Sequence, residues 1–229
     1  MNLTWKAAQT LSVLTAVTAL AATAIAPANA LSFATTPGST SSSVSGITTI
    51  NFNGRPLGTN TSFTQGLATY TGGAIVKDGS PGQYAAPAPN NGTNYLTLGG
   101  TVPVASSPVT IKFAKALNYF GLHWGSVDNY NAISFFKGLT QVGSTYTGTA
   151  ILAGANGDQG NDGSVYTDFF AGSGESFDKV VLTSTAAAFE SDNHAYRAIP
   201  TPALLPGLIA FGVGVMRKRK TEATAESDA

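Results

Sequence analysis

The chain has 229 residues, with 12 Lys and Arg balanced by 12 Asp and Glu, and 10% of its positions are charged, against about 25% in soluble domains at large. There is no basic surplus to neutralise a phosphate backbone, which excludes a nucleic-acid partner, and the absence of cysteine excludes disulfides, thiolate metal sites and cysteine nucleophiles. With 26 Gly, 11 Pro and many Ser, Thr and Asn, the composition favours short strands and tight turns over helices, so the expected fold is all-β.

The first residues, MNLTWKAAQTLSVLTAVTALAATAIAPANA, place Lys6 ahead of an apolar stretch from Leu11 to Ile25 and close on Ala28-Asn29-Ala30. That is the pattern of a secretory signal peptide over 1–30, with Leu31 as the mature start. A flexible leader is expected over 31–46, where TTPGSTSSSVSG carries almost nothing to bury. From 47 to 199 the chain reads as one domain. Its short apolar or alternating runs are ITTINF, GAIVK, NYLTL, VTIKF, LNYFGLHW, NAISFF, VYTDFF, KVVLTS and HAYRAI, separated by turn-forming stretches such as KDGSPG, PNNG and NGDQGNDG. Strands of this length and spacing mean a sandwich or barrel, and the reading adopted is a single antiparallel β-sandwich, jelly-roll-like.

Alternation assigns faces, because successive strand side chains point to opposite sides of a sheet. Val109, Ile111 and Phe113 share one face. In LNYFGLHW the inward set is Phe120, Leu122 and Trp124, which leaves Tyr119 and His123 on the other side of the strand.

Residues able to carry chemistry are few. There is no G-x-S-x-G nucleophile turn, and the two histidines, His123 and His194, fall on candidate strands. Glu175, Glu190 and Asp192 are the carboxylates that a glycan-active hydrolase would draw on, but without a nucleophile constellation the reading is non-enzymatic. The loop ANGDQGNDGS gathers Asp158, Asn161 and Asp162 between glycines, hard oxygen donors suited to calcium. In AFESDNHAY, alternation puts Glu190, Asp192 and His194 on one face, a second candidate calcium set whose alternative is plain hydrogen bonding to the neighbouring GSVDN turn. No other cofactor is expected. Sugar recognition pairs aromatic rings with amides and carboxylates, and Tyr119, His123, Asp128, Asn129 and Tyr130 are the candidates.

The chain closes with IPTPALLPGLIAFGVGVMRKRK and a short acidic tail over 221–229. Ala203 to Met216 is uncharged, about 21 Å long as a helix, whereas a hydrocarbon core is roughly 30 Å thick. Arg217, Lys218, Arg219 and Lys220 hold that end on the cytoplasmic side. A proline motif, a short transmembrane helix of insufficient reach and a basic cluster, in that order, have the logic of a sorting signal that is cut. Pro200, Thr201, Pro202, Ala203, Leu204, Leu205, Pro206 and Gly207, with the apolar stretch and the four cations, resemble the PEP-CTERM signal of exosortase-dependent surface proteins of cyanobacterial type, with Pro-Thr-Pro standing where Pro-Glu-Pro is usual. LNYFGLHWGSVDNYNAISFF and AFESDNHAY are similar to the ectodomains of such proteins. The resemblance implies that 200–220 is the sorting segment. It also implies export by the general secretory route, removal of the signal peptide by signal peptidase, transient anchoring in the inner membrane, and cleavage by an exosortase. The product would be a cell-surface or extracellular-matrix protein of structural or adhesive role, with a carbohydrate-binding module for exopolysaccharide as the alternative.

Overall fold

The structure, a computed structural model, describes residues 31–89, 92–99 and 108–200. They form β1 (Ser32–Pro37), β2 (Thr48–Ile50), β3 (Gly58–Gln65), β4 (Ala68–Lys77), β5 (Tyr95–Leu98), β6 (Val109–Gly125), β7 (Asn131–Lys137), β8 (Thr140–Thr147), β9 (Val165–Phe170), β10 (Phe177–Ser184) and β11 (Phe189–Ala198). The helical pieces are single turns, α1 (Gly148–Ile151) and a 3₁₀ turn at Asn161–Gly163. Every strand pairing is antiparallel.

Hydrogen-bonded neighbours run β2-β11-β5-β4-β6-β10-β7-β8, with β3 on β4 and with β9 between β1 and β6. Because β11 also pairs with β6, the ladder from β6 through β4, β5 and β11 returns to β6. The result is a closed antiparallel β-barrel with additional strands. The expected all-β, antiparallel class is therefore present, but the pairing is one continuous ladder rather than two separate sheets. β6 makes this possible, since its 17 residues hold β4 and β10 with the first half and β11 and β9 with the second.

VTIKF and LNYFGLHW, read as two strands, are the two halves of β6. Their apolar positions are out of phase: Val109, Ile111, Phe113 and Leu117 are buried in the first half, and Phe120, Leu122 and Trp124 in the second. Register shifts on both sides of Leu117 absorb the change, as a β-bulge does by turning a strand about its axis. Beyond the bulge the inward set is the expected one, with Trp124 fully buried and stacked on Phe189 at 4.4 Å between centroids.

The flexible leader is corrected in part. Residues 32–37 form β1 along β9, the Leu31 side chain is buried, and the Leu31 carbonyl accepts the Tyr146 hydroxyl at 2.5 Å. Further on, Ser42 donates to Asp168. A polar, half-exposed strand such as SFATTP gains its order from the ladder and not from burial, so composition alone reads as loose chain. For the same reason GTNTSFTQ (β3) and TQVGSTYT (β8) escaped notice, each burying one residue, Phe63 and Tyr146.

Among the described residues no helix is long and apolar enough to cross a membrane. The expected signal peptide over 1–30 and the expected sorting segment from Thr201 onward lie outside the described residues.

Candidate functional site

The second half of β6 is buried on both faces. Tyr119 and His123 point away from the barrel core, yet they are fully and almost fully buried, because Tyr166 and Asp168 of β9 and Glu190 and Asp192 of β11 flank them on the same face. Segments 39–44 and 79–89 lie over these residues. Close approach explains two glycines of β6. A side chain at Gly121 would collide with the Tyr119 hydroxyl and the Tyr166 ring, and Pro87 packs directly on Gly125.

Hydrogen bonds tie this layer to its cover. Tyr119 and Ser42 both donate to one oxygen of Asp168, at 2.6 Å each, and the Ala85 N–H donates to Glu190 at 3.1 Å. Asp192 accepts from Thr93 at 3.2 Å and from the Asn193 N–H at 2.7 Å. His123 Nε2 lies 3.1 Å from the Ala88 carbonyl; since a carbonyl accepts only, the proton sits on Nε2. A cavity of about 10 Å³, enough for one water, remains between His123, Asp192, Thr93 and Tyr95.

Burial favours the uncharged forms of Glu190, Asp192 and His123. Desolvation disfavours the charged form, so Glu190 is pushed up from 4.5 to about 8, with the nearby Asp128 charge adding to the effect, and Asp192 from 3.8 to about 7. The same cause brings His123 down to about 4. The Tyr119 and Tyr166 hydroxyls move upward, first through burial and then through each other or the Asp168 carboxylate.

Beside this layer, where β6 ends and β11 begins, lies a cleft of about 180 Å³. Its polar lining is made of the buried Glu190, Ser126 and Asp128, the half-buried Tyr130 and Gln83, and the exposed Asn156 and Gln159. Tyr130 donates to the Ala187 carbonyl at 2.6 Å, and its hydroxyl stands next to the Asp128 carboxyl, which burial shifts upward while the nearby Tyr130 hydroxyl pulls the other way. Ser126 has φ +41°, and its hydroxyl is buried without a hydrogen-bond partner.

The structure thus joins Asp128, Tyr130 and Glu190, which sequence reading had divided between a sugar set and a calcium set. Asn129 is exposed and does not line the cleft, while Tyr119 and His123 belong to the enclosed layer. Asp158, Asn161 and Asp162 are exposed loop residues outside the lining of the cleft, and Asp158 accepts the Gly160 N–H in a local turn. Among the described residues no three His, Asp or Glu side chains are grouped to hold a metal ion.

His194 departs from the expected face. The register shifts between Asp192 and Ala195, and Asn193 takes φ +48°, a left-handed conformation that Asn tolerates better than most residues. The bulge leaves Glu190 and Asp192 outside and turns His194 into the core against Phe52 and Phe120. There Nδ1 meets the Tyr70 hydroxyl at 3.0 Å and Nε2 meets Ser191 Oγ at 3.0 Å. This serine–histidine pair was not legible in the sequence. Both residues are fully buried and neither lines a cavity described above, so the contact satisfies buried polar atoms, and burial drives His194 down to about 3.

Fold and site together define a closed β-barrel with a capped polar layer and an adjoining cleft whose lining, among the described residues, includes no Lys, Arg or His. No family model matches the chain, and no curated protein matches it.

Proposed function

We propose that the chain is an exported, exosortase-sorted surface or extracellular-matrix protein whose barrel serves a structural or adhesive role without catalysis. The observation that carries this reading is the order of motifs at the C-terminus: proline motif, apolar stretch too short for the bilayer, basic cluster. Both edges of the described barrel are tied into it: Leu31, the expected mature start, is buried and its carbonyl accepts the Tyr146 hydroxyl, and the Ile199 N–H donates to the Ala116 carbonyl. Its partners in transit are signal peptidase, the inner membrane and an exosortase. Within this reading the ectodomain is a variant of the jelly-roll-like sandwich in which β6 joins the two layers, supported by the different neighbours of its two halves.

Fractionation of a host that carries an exosortase tests the proposal. The full chain should reach the surface fraction, and deletion of 200–220 should release the barrel in soluble form; equal surface retention of both would refute it.

A second reading, a carbohydrate-binding module for exopolysaccharide, is favoured by the cleft at Asp128, Tyr130 and Glu190. A glycan array tests it: saturable binding supports a lectin, and none supports a purely structural module. The third, a glycan-active hydrolase using Glu190, requires turnover that Glu190→Gln abolishes.

A further inference from the structure

Ser126 lines the cleft and is 4% exposed, and its hydroxyl is buried with no hydrogen-bond partner. It sits on a backbone with φ +41°, a conformation that persists where surrounding structure imposes it. Buried polar atoms in folded proteins are nearly always paired, and each exception calls for an explanation; among the described residues lining the cleft, Ser126 carries the unpaired one.

The other lining groups define that ligand. Asp128 and Glu190 accept hydrogen bonds when ionised and donate when protonated, while Gln83, Asn156 and Gln159 carry a donor and an acceptor each. No Lys, Arg or His lines the cleft among the described residues, so nothing there would compensate a ligand's negative charge. At about 180 Å³ the space falls below the roughly 300 Å³ at which pockets for drug-sized molecules begin, yet it exceeds what one ion needs to hold carboxylate oxygens at about 2.3–2.6 Å. A small, uncharged molecule rich in hydroxyls fits both constraints, its donors and acceptors alternating as the lining does.

We propose that this cleft binds a single residue of a neutral saccharide, whose hydroxyls bridge Asp128 and Glu190 and satisfy the Ser126 hydroxyl. The assignment rests on the carbohydrate-binding reading above and names its site and ligand class.

The test uses the full chain, purified in a detergent without a sugar headgroup, with D-glucose, D-galactose, D-mannose and D-glucuronate as probes. Saturation-transfer NMR and calorimetric titration report binding, and a thermal melt checks each variant's fold. At least one neutral hexose should bind saturably, and glucuronate at least tenfold more weakly. Ser126→Ala should weaken the hexose about fivefold and Asp128→Asn at least tenfold. Glu175→Gln, in the turn between β9 and β10 beside the middle of β6 and outside the cleft lining, should change nothing. Hexose binding that survives both cleft variants would overturn the site and leave the lectin reading standing. If neither the hexoses nor a glycan array shows saturable binding, both fall. Calcium alone raising the melting temperature of the wild type but not of Asp128→Asn would make the cleft a cation site and overturn the saccharide assignment.

Discussion

Replacing Glu190 with Gln probes whether the layer above β6 is held neutral, and the pH dependence of stability follows from the four buried groups. In the unfolded chain Glu190, Asp192, His123 and His194 titrate near 4.5, 3.8, 6.5 and 6.5; in the folded protein near 8, 7, 4 and 3. A carboxyl raised in the native state stabilises the fold below its unfolded value, and that contribution is lost as pH rises through the native value. A lowered imidazole does the opposite, contributing fully above 6.5 and losing its contribution as pH falls. Between about pH 4.5 and 6.5 the native state holds extra protons on two carboxyls while the unfolded chain holds them on two imidazoles, so stability should be nearly level. At about 6.5 the imidazoles of the unfolded chain are half protonated, and they are neutral in both states by about pH 8. Each proton that the native state alone retains removes about 1.4 kcal/mol per pH unit. Less the offset from the last imidazole protons, roughly 2 kcal/mol is lost from pH 6.5 to 8. Glu190→Gln leaves only the Asp192 contribution, which that offset nearly cancels, and should stay level to within about 0.5 kcal/mol over the same range. Urea titrations followed by tryptophan fluorescence at pH 5, 6.5, 7, 8 and 9 measure this directly. A wild-type stability that stays level from pH 6.5 to 9, or a variant with the same slope, would refute the reasoning.

Other perturbations address the core. Trp124→Ala removes a fully buried ring stacked on Phe189 and should cost about 3–5 kcal/mol; a melt like that of wild type would contradict the facing of β6. Tyr70→Phe takes the hydroxyl from His194 Nδ1 inside the core and should cost about 1–3 kcal/mol, read by the same titration. Gly121→Ala forces a methyl against Tyr119 and Tyr166 and should cost about 1–3 kcal/mol, whereas Ala at the open position Gly54 should change stability by less than about 1 kcal/mol.

Strong alternation with large apolar residues made the core face of β6 readable, because Phe120, Leu122 and Trp124 leave one choice of side. What local pattern does not encode stayed hidden. A bulge at Leu117 joins two out-of-phase runs into one strand, and another at Asn193 sends His194 to the face opposite Asp192 although spacing places them together. β1, β3 and β8 are polar strands held by their neighbours' hydrogen bonds. Tyr119 and His123 read as residues of an open face, since nothing in the Ala- and Pro-rich segment 79–89 announces that it folds back as a cover. The cleft forms when the turn after β6, the 156–159 loop and the start of β11 meet, so its members were recognisable as polar candidates but not as one site.

Mass spectrometry of the mature protein recovered from the surface of its host bears most directly on the proposed sorting. A chain beginning at Leu31 and lacking Arg217 to Lys220 is the expected result; surface material that still carries those four cations would contradict it.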